Sequence, residues 1–492
     1  MKNEVQLIAY VDRLSGGGLL NLRELLRGPL AGLFGGVHLL PFFFPIDGSD
    51  AGFDPIDHTR VDPRLGDWPD VASLATDFDL MADLIVNHMS IESPQFRDYS
   101  RLGDASEYAG LFLTLDAVFG GPVIDANLMQ AIYRPRPGAP CTTVTLANGT
   151  SVALWTTFTP QQVDIDVRNP RGRTYLSRIL RTFAANGIRM IRLDAIGYVI
   201  KRAGTSCFML PETFEFIEEL AAEARALGLE VLVEIHSHFR HQIEIAARVD
   251  RVYDFALPPL ILHAIASGTS RYLKHWIEVR PTNALTVLDT HDGIGIIDVD
   301  ADPADRAGRS GLLPVAEINR LVESIHRNSN GQSATATGAA ASNLDLYQVN
   351  CTYYDALGRD DRRYLIARAI QFFVPGIPQV YYVGLLAGTN DTALLESTGV
   401  GRDINRHYYT ARDLEQAMER VVVRDLFSLI RFRNRHPAFA GQFTVAASSD
   451  DELHLAWRNG PHAASLRVQL AEPAFQVSYT GEDGMEWLPL VS

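Results

Sequence analysis

Residues 191–198 read IRLDAIGY, with Asp194 at the centre. A helical pattern precedes them from Pro170, in which Tyr175, Leu176, Ile179, Leu180 and Phe183 recur at the spacing of one face. Gly187 follows as the left-handed stop of such a helix. In residues 188–193, Ile188, Met190, Ile191 and Leu193 are apolar. That run is too short for a helix and too apolar for an exposed edge, which predicts a buried parallel strand. An acid where such a strand ends serves no packing purpose and persists only if something pairs with it or uses it. Strand alternation puts Arg192 on the same side as Asp194, where it could hold the carboxylate ionised and aimed. A structural Arg–Asp pair and a working acid both fit this stretch alone.

Working outward, similar runs lie at 5–10, 36–41, 80–86, 230–233, 251–253, 285–288 and 379–382, with helical patterns between them. With 188–193 they make eight, the number that an α/β fold of the (β/α)8 TIM-barrel type needs. A doubly wound open sheet is the alternative, but no glycine-rich dinucleotide fingerprint follows any run. Residues 211–227 place Phe214, Ile217, Leu220, Ala221 and Ala224 on one helical face, with Gly228 just beyond. Two gaps break the rhythm. Residues 88–169, with turn clusters RPRPGAP (134–140) and ANGT (147–150), are too long for a plain loop after the third strand. A second excursion after the seventh strand contains QSATATGAAAS (332–342), whose small residues suit a mobile loop. Short alternating runs near the end, such as 453–457 and 475–479, suggest a small β domain. The expected division is residues 1–87, 168–292 and 356–435 for the barrel, 88–167 for a first inserted domain, 293–355 for a second, and 436–492 for the C-terminal β domain.

The chain has 492 residues and a net charge of −15, which opposes nucleic acid or an anionic membrane as partner. Cys141, Cys207 and Cys351 are widely spaced and odd in number, so neither a disulfide framework nor a zinc pattern is present. The N-terminal MKNEVQLIAY enters a strand pattern with no signal-peptide core. The most apolar stretch, 255–266, carries Pro258, Pro259 and His263 and is too short to span a bilayer. A soluble, cytoplasmic protein is expected.

The acids then align. Asp194 follows the fourth strand, Glu234 the fifth, His291–Asp292 the seventh and Asn87–His88 the third. In a barrel all strand C-termini open on one face, where active sites are built. Three acids and two histidines at such positions have no packing explanation.

DLIVNH (83–88), IRLDAIGY, VLVEIH (231–236) and VLDTHD (287–292) resemble the four ordered signature regions of the α-amylase superfamily of glycoside hydrolases. The two insertions and the terminal β domain resemble it too. Longer strings resemble one subgroup, the sucrose phosphorylases: PFFFPIDGSDAGFDPIDH (41–58), IYRPRPG (132–138), FTPQQVDIDV (158–167), NLDLYQVN (343–350) and GRDINRHYY (401–409). Phe44 and the chain after about Pro437 match less well.

The resemblance implies reversible phosphorolysis of sucrose to α-D-glucose 1-phosphate and fructose by a retaining double displacement, with no cofactor and no catalytic metal. Asp194 would be the nucleophile, Glu234 the acid and base, and Asp292 the holder of the sugar's 2- and 3-hydroxyls. Arg192 is expected to keep Asp194 ionised while apolar surroundings keep Glu234 protonated. His88 and His291 would bind glucose hydroxyls, and Asp50 with Arg402 the 4-hydroxyl at the closed end of the pocket. Phe53 and Phe158 would be apolar walls; Gln162 and His236 join the substrate side through their matched strings. On the phosphate and fructose side stand Arg136, Tyr347 and the Leu346 backbone, with Tyr133, Asp345 and Gln348. Relatives acting on sucrose 6′-phosphate carry histidine in place of Tyr347, so tyrosine favours unphosphorylated sucrose. Residues 332–343 are expected to move between fructose release and phosphate entry. Superfamily members often bind calcium near Asn87, but no convincing acidic cluster is visible in the first insertion. The subgroup suggests a homodimer through that insertion. Open alternatives are a phosphorylase with another aglycone (glucosylglycerol, glucosylglycerate or sucrose 6′-phosphate), a retaining α-glucosidase or transglucosidase, and a silent carbohydrate-binding barrel.

Overall fold

The computed structural model describes residues 1–48, 50–122, 124–133, 138–301, 310–340, 348–482 and 484–491. Eight parallel strands close a barrel: β1 (Gln6–Ala9), β2 (Gly36–Leu39), β3 (Asp79–Ile85), β4 (Ile188–Asp194), β5 (Glu230–Val233), β6 (Arg251–Asp254), β7 (Ala284–Thr286) and β8 (Ile377–Tyr381). Each overlaps a run read from the sequence. Consecutive strands pair, and β8 returns to β1, which overturns the open-sheet alternative. Of β4, only Arg189 is exposed and Asp194 half-buried, as expected when helices cover one side and lumen side chains the other. The helix Pro170–Ala185 starts where the Asn169 side chain accepts from the Arg171 amide at 3.0 Å. Proline follows at the first helical position, where its missing N–H costs nothing. Its apolar face, Leu176, Ile179, Leu180 and Phe183, is fully buried. Gly187 then takes the left-handed φ of +85° that the turn into β4 requires.

Register positions the site. Leu193 pairs with Val233, so Asp194 and Glu234 leave β4 and β5 side by side. Arg192 pairs with Asp83 across β3 and β4. Parallel partners at one level point the same way, so guanidinium and carboxylate meet inside the barrel.

Between β3 and β4 the chain pairs His88–Ser90 with Gln162–Asp164 and forms a hairpin of Cys141–Thr145 and Ser151–Trp155. A buried ammonium ties this excursion to the barrel. Lys201 Nζ donates to Asn87 Oδ1 at 2.8 Å, pairs with Asp164 and lies 5.6 Å from the Trp155 ring. A protein side chain thus supplies the positive charge beside Asn87.

After β7, Ile294–Gly295 pairs with Gln348–Val349. The run read as a mobile loop is instead a helix, Gln332–Ala340. Alanine has the highest helix propensity, so a small-residue run becomes helical once tertiary contacts anchor it. Here Ser333 bonds His326 and Ser329, and Ala336 packs with Leu395 and Ile404. Residues 341–343 of that run lie outside the described residues.

The C-terminal sheet has five antiparallel strands, Gln442–Val445, Glu452–Asn459, His462–Gln469, Ala474–Gly481 and Gly484–Trp487. Its alternation buries Leu453, Leu455, Leu466, Val468 and Val477, and Trp457 Nε1 donates to the Phe373 carbonyl at 2.6 Å. Among the described residues no helix is long and apolar enough to cross a membrane. Most of the apolar stretch at 255–266 is the buried helix Leu257–Ser267.

Lys201→Met leaves the fully buried Asp164 without its cation. Breaking a buried pair on one side costs about 3–5 kcal/mol. Urea unfolding should show that loss, with the midpoint lowered and the slope unchanged.

Candidate active site

Arg192 is the hub of the strand-end face. Its Nη1 donates to Asp83 Oδ1 at 2.6 Å and to Asp194 Oδ1 at 2.8 Å, and its Nη2 lies 3.7 Å from Glu234 Oε1. Its guanidinium also stands 5.5 Å from the Phe53 ring. Asp194 and Glu234 retain some exposure, 15% and 13%, while Arg192 has 3% and Asp83 none. These two carboxyls therefore face the cleft, and their support lies beneath.

Ala195, directly after Asp194, has φ +56°, a left-handed conformation that few non-glycine residues adopt. It turns the chain sharply out of β4 just past the carboxyl. The same geometry recurs at Ala51 (φ +48°), between Asp50 and Phe53, and at Cys207 and Met209, on either side of Phe208.

Asp292 lies beside this pair. Arg402 Nη1 approaches its Oδ1 to 2.7 Å, and His291 Nε2 lies 3.6 Å from its Oδ2. Arg402, expected with Asp50 at the sugar's 4-hydroxyl, has Asp292 as a close carboxylate, and the chain around it is tied to the residues that follow β7. Asn405 Nδ2 donates to the Thr290 carbonyl at 3.0 Å, and the neighbouring Arg406 Nε to that of His291 at 2.9 Å. Gln348 is close by, its Oε1 accepting from the Gly293 amide at 3.3 Å. Asp50 sits at the same floor: its charge acts on Tyr10, His88 and Arg406.

His236 follows Glu234 by two residues, and its Nε2 lies 3.8 Å from Glu234 Oε1. Its Nδ1 bonds Asp298 Oδ2 at 2.9 Å, and its ring stacks 3.9 Å from Phe255. This close approach depends on Gly295, where a Cβ would fall 2.2 Å from Asp298 Oδ2. Glu234, His236 and Asp292 offer ligand atoms within 4.8 Å of one another, a spacing that could hold a cation. Arg192 and Arg402 already bring positive charge to the same carboxyls.

Aromatic rings line the cleft. Phe53 stacks on His291 at 4.7 Å, and Phe158 packs 5.1 Å from His88, whose Nε2 is 3.1 Å from the Phe53 carbonyl. Tyr198 continues the wall, 5.2 Å from Phe158, 4.8 Å from Phe208 and 6.2 Å from Tyr133. Gln162 is buried, its Oε1 accepting from Thr159 Oγ1 at 3.1 Å. Arg136, Asp345, Leu346 and Tyr347 lie outside the described residues.

The local fields separate the acids. Burial pushes Asp194 well above the usual carboxylate range, with Glu234, Asp83 and Asp292 adding to it against Arg192. Arg192 is the cation that favours the ionised form of Asp194, acting against desolvation and three neighbouring carboxyls. Asp292 goes the other way. Burial would raise it, but Arg402, His291, His236 and Arg192 hold it well below the usual range. Asp83, despite complete burial, is held at about 2 by His38 and Arg192. Burial pushes His291 down to about 3 and lowers His88, so both rings are neutral at physiological pH. Burial also acts to lower His236, but Asp298 outweighs it and the ring is raised.

Sequence reading missed Asp83, His38, Tyr253, Asp298, Tyr198 and Phe208 as parts of the site. Asp83 heads the DLIVNH string and Tyr198 closes IRLDAIGY, so both carried a signal. His38 was visible only as a lone polar residue in GVHL, and nothing local marks Asp298.

Asp298→Asn removes the group that raises His236. A raised histidine contributes stability fully below its unfolded value of about 6.5, and that contribution is lost as pH rises through the folded value. Urea unfolding at pH about 5.5 and about 8.5 should therefore show wild type exceeding Asp298→Asn most at the lower pH.

Comparison with known proteins agrees with this fold. The Alpha-amylase family model (Alpha amylase, catalytic domain) matches residues 33–252. A sucrose phosphorylase of Agrobacterium vitis is 59% identical, covering 98% of each chain. One from Bifidobacterium adolescentis is 53% identical over 95% of this chain and 92% of that one. The crystal structure of sucrose 6F-phosphate phosphorylase from Thermoanaerobacter thermosaccharolyticum superposes with a TM-score of 0.91 at 38% identity, covering 100% of this chain and 98% of that one. Sharing more than half its residues with such enzymes along nearly its whole length, the chain belongs to the sucrose phosphorylase family.

Proposed function

We propose that the protein transfers the glucosyl group of sucrose to phosphate, giving D-fructose and α-D-glucose 1-phosphate with retention. The observation that carries this reading is the guanidinium of Arg192, bonded to Asp194 and 3.7 Å from Glu234 at neighbouring strand ends. Adjacent strands run about 4.8 Å apart. Retaining glycosidases need their two carboxyls roughly 5–5.5 Å apart.

In the first half-reaction Asp194 attacks the anomeric carbon while Glu234 gives its proton to the departing fructosyl oxygen. The bond to fructose breaks and a β-glucosyl ester forms. Asp194 then carries no charge and Glu234 carries one, so Arg192, which reaches both, still meets one carboxylate of that pair besides Asp83. In the second half a phosphate oxygen attacks the same carbon, the ester breaks, and Glu234 takes up the acceptor's proton. Two inversions give retention.

Asp292, kept ionised by Arg402, binds the 2- and 3-hydroxyls and offsets oxocarbenium charge. Neutral His88 and His291 bond sugar hydroxyls, Gln162 and His236 support the same pocket, and Phe53 and Phe158 face the ring. Asp50 and Arg402 read the 4-hydroxyl, where an analogue lacking that hydroxyl would strand buried charge. Tyr133, Tyr198, Phe208 and Gln348 border the fructose side. Arg136, Asp345, Leu346 and Tyr347 supply the phosphate side of the proposal, and Tyr347 favours unphosphorylated sucrose. The three free cysteines suit a reducing cytoplasm. A homodimer through residues 88–167 belongs to the same proposal.

Purified protein with sucrose should release fructose and α-glucose 1-phosphate only when phosphate is present. Equal glucose release without phosphate would move the assignment to a hydrolase, and a preference for glycerol or glycerate over fructose as acceptor would change the aglycone. Asp194→Ala should lower turnover by about 10⁴-fold or more. Activity surviving that substitution would refute the covalent mechanism.

A further inference from the structure

Beneath the two carboxyls the barrel lumen holds a buried polar chain that the reaction as written does not use. Tyr253 Oη on β6 lies 3.4 Å from His38 Nδ1 on β2. His38 Nε2 lies 2.9 Å from Asp83 Oδ2 on β3, and Asp83 Oδ1 accepts from Arg192 on β4 at 2.6 Å. His38 is 1% exposed, Asp83 0%, Arg192 2% and Tyr253 3%. Barrel lumens are ordinarily packed with branched apolar side chains, and a buried ionic network is no more stable than a well-packed apolar one. Stability alone therefore does not account for four polar side chains from four strands ending on the reacting carboxyls.

Asp83 divides its two oxygens between two partners. Oδ2 is turned to His38 and Oδ1 to Arg192 Nη1, and the guanidinium keeps Nη2 toward Glu234. An aspartate with both oxygens free takes arginine in a two-pronged pair, the stronger and more rigid geometry. That pair would draw Arg192 down into the lumen and away from Glu234.

We propose that His38 is a positioning residue for glucosyl transfer: by occupying one oxygen of Asp83 it prevents a two-pronged Asp83–Arg192 pair and keeps Arg192 spanning Asp194 and Glu234. Tyr253 orients His38 by bonding the far ring nitrogen. The inference rests on the proposed roles of Asp194 and Glu234, but its structural consequence is measurable without substrate.

The test compares H38L, H38Q and Y253F with wild type, by steady-state kinetics with sucrose and phosphate and by crystal structures of the free proteins. Leucine fills the space without a donor, whereas glutamine keeps an N–H for Asp83. A displacement on the order of 1 Å at a reacting group costs about 100-fold. H38L should therefore lose about that factor in kcat with KM within threefold of wild type, and Arg192 should pair two-pronged with Asp83. H38Q should regain at least tenfold of the lost kcat. Y253F, which removes only the outermost bond, should lose about threefold in kcat at unchanged KM. The proposal is overturned if H38Q and H38L lose equally, if KM rises as kcat falls, or if Arg192 stays in place in H38L. It is likewise overturned if H38L does not fold and Y253F keeps full kcat. Wild type failing to turn over sucrose with phosphate would refute the proposed function instead, and the position of Arg192 in H38L would still decide the structural claim.

Discussion

Arg192 is a cation held out of water among four carboxyls: Asp83 and Asp194 bond it, Glu234 lies within 3.7 Å, and Asp292 feels its charge. Burying a guanidinium costs several kcal/mol unless its partners are good, and burying the carboxylates costs as much again. Neither is stable there without the other. The register of β3 and β4, which sets Arg192 opposite Asp83, secures the cation, and the register of β4 and β5 brings the two cleft-facing carboxyls to it. The barrel thus positions the chemistry through backbone pairing before any loop takes part.

Around that centre an acidic chain places its cations one by one. Arg402 meets Asp292, Lys201 meets Asp164, and Arg406 holds the segment carrying Arg402 against the end of β7. The consequence is a division of labour among acids of the same chemical type. Asp292 is driven toward permanent ionisation, whereas Asp194, crowded by Glu234, Asp83 and Asp292, is driven the other way. Under the proposed double displacement, a carboxylate that is costly to leave charged gains by forming an ester, while one that must stay charged beside a developing cation needs its own arginine.

Strain gathers at the same places. Ala195, Ala51, Cys207 and Met209 adopt left-handed conformations beside Asp194, Phe53 and Phe208. Each costs of order 1–3 kcal/mol, and the packed barrel supplies the stability that offsets it. Such conformations aim side chains where an ordinary turn would not.

The strands, the acids at their ends and the helix from Pro170 were legible in the sequence because each rests on local pattern: apolar runs, helical spacing, and glycine where φ must be positive. Residues 332–340 were misread because small residues suit a loop and a helix alike, and the contacts of Ser333 and Ala336 favour the helix. The sequence determined the barrel, its family and the three acids at the strand ends. Tertiary structure decided their electrostatic state and their supports: Asp83 and His38 under Arg192, Asp298 behind His236, Arg402 on Asp292 and Lys201 on Asp164. Charge interactions depend on distance through space and on exclusion of water, and these partners stand 37 to 154 residues apart along the chain, so no spacing in the sequence encodes them.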